Sequence, residues 1–142
     1  MNPLTGFHIG IPQITDFHPF GTKKDIQNYF LRLEAFQRLV DQAICLMEKG
    51  ISLQVVSPKI LIEKCLPQIE SFLVDSAEKS VFYFPLNQLK GFSEEEQKAF
   101  QEEGKKRVQE FVLPAYKKLL TFMKDTYLPA GKEDVGLWSL PK

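Results

Sequence analysis

Histidine, cysteine and tryptophan are scarce in this chain, with two, two and one residues respectively in 142. A catalytic zinc site takes three protein ligands, commonly with a histidine pair one helical turn apart. His8 and His18 do not have that spacing. Only a fold-back of the N-terminal segment would join them with Asp16, and loop histidines more ordinarily hydrogen-bond, so no metal and no cofactor is expected. No G-x-S-x-G, P-loop or dinucleotide fingerprint occurs, and neither cysteine has a neighbouring histidine, so no catalytic residue is assigned. Cys45 and Cys65 are too few for a disulfide framework, and each sits among apolar residues, which predicts buried free thiols. An antiparallel hairpin of their two helices would nonetheless bring them within reach of a disulfide.

Charge of one sign is also lacking. Lys+Arg and Asp+Glu are 18 each, which leaves no field to draw in nucleic acid or an acidic membrane surface. No apolar run approaches the roughly 20 residues that span a bilayer, and the first residues lack a basic stretch followed by an apolar one. On this sequence as it stands the expectation is no nucleic acid, no membrane and a cytoplasmic location.

With 44% hydrophobic residues, the chain supports one core, read as a single domain over 1–142. Residues 1–21 mix breakers (Pro3, Gly6, Gly10, Pro12, Pro19, Gly21) with Leu4, Phe7, Ile9, Ile11, Ile14, Phe17 and Phe20. This composition predicts an irregular arm that packs onto something, with a strand-like alternation at Phe7 to Ile11. Thr22 and Asp25 open a first helix whose apolar residues recur at three and four: Ile26, Tyr29, Phe30, Leu33, Phe36, Leu39, Val40, Ala43, Ile44 and Met47. Gly50 is placed to end it in the left-handed conformation.

Residues 51–56 read as an extended connector, and Ser57-Pro58 as the cap and first turn of a second helix over 57–79. Its stripe is Leu61, Cys65, Ile69, Phe72 and Leu73, with a kink at Pro67. Residues 80–92 form a loop dense in aromatics, Phe82, Tyr83, Phe84 and Phe92. Such a loop ordinarily plugs the end of a bundle, and otherwise docks a partner.

Ser93 and Glu96 make a capping box for a third helix over 93–128. The Glu94 to Glu96 run stabilises its N-terminus. As one straight helix it would span roughly 54 Å, against a radius of gyration near 15 Å for a compact chain of this length. It therefore breaks, protrudes or belongs to something larger, and Pro114 marks the expected break. Its first half is nearly all polar and is not expected in a core. Lys105-Lys106-Arg107 reads as a solvated face compensated by Glu102, Glu103 and Glu110. Residues 132–142 read as a tail docked by Trp138. The fold expected is all-α, an antiparallel up-down bundle of three to four helices over 22–131, and no internal repeat is evident.

Phe17-His18-Pro19-Phe20, Tyr29 to Leu33, Met47 to Ile51, Ser57-Pro58-Lys59, Val81-Phe82-Tyr83-Phe84-Pro85, Leu113 to Leu119, Tyr127 to Ala130 and Gly136 to Pro141 form an ordered set of segments. That set resembles a bacterial family designated domain of unknown function 885. Full-length members are longer, largely helical and similar to zinc-dependent peptidases, with a His-Glu pair followed by Pro-Gly-His. That signature is absent here, so the resemblance implies an internal scaffold segment and transfers no catalytic residue.

The function expected is a noncatalytic helical module. The alternative is an assembly module that docks a protein partner through the arm and Phe82, Tyr83, Phe84 and Phe92, completing a peptidase-like partner in trans.

Overall fold

A computed structural model describes residues 1–134 and residue 136; the expected tail docking through Trp138 lies outside them. The described residues are mostly helical, without a strand beyond one isolated bridge between Pro58 and Lys132. The arm forms two single turns, α1 (Phe7–Gly10) and α2 (Ile14–Phe17). The strand expected at Phe7 to Ile11 is thus a helical turn, closed by the amide of Ile11 donating to the Phe7 carbonyl.

α3 (Lys23–Ser52) begins at a reciprocal capping box. The Thr22 hydroxyl accepts from the Asp25 amide at 3.1 Å, and the Asp25 carboxylate accepts from the Thr22 amide at 2.8 Å. Gly50 does not end it. The helix runs on to Ser52, and the left-handed residue is Gln54, at φ 58°. Glycine at 50 serves close approach, because a Cβ there would lie 2.8 Å from the Val55 carbonyl oxygen.

α4 (Lys59–Glu70) is shorter than expected at both ends. The Ser57 hydroxyl donates to the Met1 carbonyl instead of capping. Beyond Glu70, Asp75, Ser76 and Ser80 favour turns over helix, and short 3-10 turns follow at Ala77–Lys79 and Phe84–Gln88. The inward stripe of α4 is Ile62, Cys65 and Ile69, while Leu61 faces outward.

The last helical stretch runs from Glu94 to Ala130 as α5 (Glu94–Arg107), α6 (Leu113–Phe122) and α7 (Leu128–Ala130). π-turns at Val108–Val112 and Met123–Tyr127 join them. The interruption expected near Pro114 is the first π-turn, and the chain stays helical through it, about 55 Å in length. Each π-turn ends two residues before a proline, Pro114 or Pro129, where a regular ladder would clash with the proline ring.

Ion pairs give the helix directions. Lys23 meets Glu96, Glu34 meets Arg107 and Asp41 meets Lys118, so α3 and α5–α6 run the same way. Lys59 meets Glu133 and Glu70 meets Lys124, so α4 runs against them. This is the expected up-down-up order. The core lies between these helices, with Tyr116 against the rings of Phe36 at 4.9 Å, Phe72 at 5.1 Å and Phe82 at 6.2 Å.

The polar half of the last helix does enter the core, at Val108 and, one turn earlier, at Gly104. Gly104 is buried, with Leu86 and Phe30 seated where a side chain would otherwise stand. Arg107 is likewise no solvated residue: it lies over the Phe30 ring, held by Glu34 and by Glu103 at 2.5 Å.

Candidate functional site

The arm and the aromatic loop close around one open cleft of about 360 Å³. Thr15, Asp16, His18 and Phe20 form one wall; Val81, Phe84, Pro85 and Gln88 form the other. Two segments that carry the family resemblance, at 17–20 and 81–85, therefore meet here.

Tyr29 ties the two walls together. Its ring, on the first buried turns of α3, lies 5.2 Å from the His18 ring and 4.9 Å from that of Phe20. Its hydroxyl donates to the Phe82 carbonyl at 2.6 Å. Burial raises the Tyr29 phenol far above its ordinary pKa, so it remains a donor. On the loop side, the Ser80 hydroxyl accepts from the Phe82 amide at 3.3 Å, and the Gln101 amide donates to the Leu86 carbonyl at 3.1 Å.

The predicted aromatics divide. Phe82 and Tyr83 are core, Phe92 is half-buried against the Phe100 ring at 5.4 Å, and Phe84 is 51% exposed on the cleft. Plugging and presentation thus fall to different residues of one loop. The sequence singled out Phe84 as an aromatic and Val81 as part of a matching segment, but not Gln88 and Thr15, which bear no chemical signature of their own.

Both histidines are committed to the fold. His18 Nε2 donates to the Asp25 carbonyl at 2.8 Å, which leaves Nδ1 enclosed and without a partner. His8 is fully buried; its Nε2 donates to Gln68 Oε1 at 3.0 Å, because the Gln68 amide nitrogen is turned to the Pro3 carbonyl. Burial holds the His8 imidazole below its ordinary pKa. The backbone carbonyl of His8 accepts from the Tyr116 hydroxyl at 3.2 Å.

Among the described residues, no three of His, Cys, Asp and Glu converge as metal ligands, so these side chains do not fit the zinc that the resemblance would bring. Cys65 is buried and free, with burial raising its thiol pKa, whereas Cys45 is exposed and free, contrary to the buried pair expected. Its α3 position faces away from the core stripe. The polar groups on the cleft walls are the Asp16 carboxylate, the Gln88 amide, the His18 imidazole and the Thr15 hydroxyl, which donates to the Pro12 carbonyl, beside the rings of Phe20 and Phe84.

The family model described as "Bacterial protein of unknown function (DUF885)" matches residues 1–141. The chain belongs to the DUF885 family. No curated protein matches it. A solved structure described as the "putative lipoprotein from Colwellia psychrerythraea" superposes on 99% of this DUF885 chain with a TM-score of 0.91 at 21% identity. The chain spans 25% of that protein's chain. At this identity the likeness establishes the fold. Among the described residues of the DUF885 chain, no helix is long and apolar enough to cross a membrane.

Proposed function

We propose that the chain is a noncatalytic helical module of the DUF885 family, and that the arm–loop cleft is the face through which it docks to peptidase-like polypeptide. The observation that carries this reading is the convergence of the segments at 17–20 and 81–85 on one open cleft, with Phe84 exposed and Tyr29 hydrogen-bonded to the loop wall and packed against the rings of the arm wall. The commitment of both histidines to backbone and amide partners supports a role without chemistry of its own. So does the length of the Colwellia protein, of which this fold is one part.

The test compares the tagged chain with its Phe84→Ser variant in co-purification from native cells. The reading expects the wild type to retain a protein bearing the His-Glu and Pro-Gly-His signature, and the variant to lose it at an unchanged melting temperature. Stoichiometric zinc in the isolated chain, removed by a chelator together with peptide hydrolysis, overturns the noncatalytic assignment. Equal retention by the variant overturns the cleft as the docking face.

A further inference from the structure

α3 has two apolar faces. Ile26, Leu33, Val40 and Ile44 look into the core, while Leu31, Leu39 and Leu46 look away from it and are 60%, 40% and 70% exposed. With Ala35 and Gln42, these three leucines recur at steps of four, four, three and four residues. At about 100° per residue the five positions fall within an arc of about 80°, the width of a seam that one helix presents to another.

The arm deepens this seam. Ile11 and Ile14 close with Ala35, Phe36 and Leu39 around a cleft of about 440 Å³. Its charged lining is Arg32 and Arg38, both exposed. Neither arginine has an ion-pair partner among the described residues, whereas the third, Arg107, holds two carboxylates. An apolar stripe flanked by two uncompensated guanidiniums is complementary to an apolar stripe flanked by carboxylates.

We propose that this face of α3 docks an amphipathic helix of another polypeptide, with a Leu/Ile/Val stripe fitting Leu31, Leu39 and Leu46 and flanking Asp or Glu residues pairing with Arg32 and Arg38. A second copy of this chain is the poorer occupant. The stripe carries no acidic residue, so a two-fold contact centred on it gathers four guanidiniums with no counter-charge. The proposal is independent of the arm–loop cleft, whose walls belong to other residues.

Cys45 provides the readout. It is exposed and free on the same side of α3, one residue from Leu46, while Cys65 is buried, so alkylation by iodoacetamide reports coverage of the seam. The probes are a synthetic helical peptide with leucines at three- and four-residue steps flanked by glutamates, and its twin with lysines in place of the glutamates. The glutamate peptide is expected to slow Cys45 alkylation, less so at high salt. The Arg32→Glu/Arg38→Glu variant should bind it about tenfold more weakly and prefer the lysine peptide, given exposed pairs of ordinary strength. Arg32→Gln/Arg38→Gln should lose the preference without reversing it. Equal protection by the two peptides, protection by neither, or protection that rises with chain concentration alone overturns the proposal, the last in favour of a second copy.

Discussion

The Tyr29 hydroxyl donates to the Phe82 carbonyl at 2.6 Å, across 53 residues of sequence and inside the core. One bond thereby fixes the aromatic loop to α3, and the same ring seats His18 and Phe20 of the arm. Tyr29→Phe removes the donor and leaves a buried carbonyl unsatisfied. The expected loss is about 1–3 kcal/mol in urea unfolding, and arm and loop amides should exchange hydrogen faster than those of α4.

Phe82 and Phe84 are two residues apart and should behave oppositely. Phe82→Ser removes a core ring packed on Phe36 and Tyr116, at an expected cost of about 3–5 kcal/mol. Phe84→Ser, at the exposed rim, should stay within about 0.5 kcal/mol of wild type. Comparable losses for both would mean that the cleft wall is structural rather than presented.

Stability should decline as pH falls below the ordinary histidine value of 6.5. The folded chain holds His8 below that value by burial, so between the two values the unfolded chain binds a proton that the folded one refuses. His8→Gln should flatten the dependence of unfolding free energy on pH between about 7 and 5. Asp25 acts in a separate window. The Thr22 hydrogen bond lowers its pKa below 3.8, so its contribution is present above that value and lost on further acidification.

Gly104→Ala sets two effects against each other. Alanine favours the helix by about 1 kcal/mol, but its Cβ would lie 2.0 Å from Leu86 Cδ1 in a fully buried site, and overpacking costs about 1–3 kcal/mol. A net loss of about 1 kcal/mol is expected, by difference of those figures. In a Leu86→Ala background the clash is gone and the same substitution should stabilise, which a double-mutant cycle in thermal unfolding would resolve.

The helix starts were legible because Thr22 with Asp25, and Ser93 with Glu96, state their chemistry locally. The end of α3 was not, since Gly50 answers to the Val55 carbonyl rather than to a left-handed turn. Leu39 fits the core period by spacing yet faces out, and only tertiary packing distinguishes it from Val40 beside it. The π-turns did leave a trace. Gly104, Val108 and Val112, and again Leu119, Met123 and Tyr127, are buried at steps of four, a period too long for a regular α-helix, and each set is followed by Leu-Pro-Ala. That tripeptide recurs at 113–115 and 128–130, where no repeat was read. The cleft was half legible: its aromatic and histidine segments stood out, but their meeting depends on Tyr29 reaching Phe82.

The parallel course of α3 and α5–α6 also bears on how the chain reaches its fold. Lys23 and Glu96, or Glu34 and Arg107, meet only after the chain has doubled back through α4 and the aromatic loop. α3 buries its stripe chiefly against α5–α6 rather than against α4, the helix that follows it in sequence. Each helix forms locally and quickly, but their pairing waits on closing a loop the length of half the chain. Folding is accordingly slower than the helical content alone suggests, and the apolar stripes stay exposed to other molecules for as long as that closure takes.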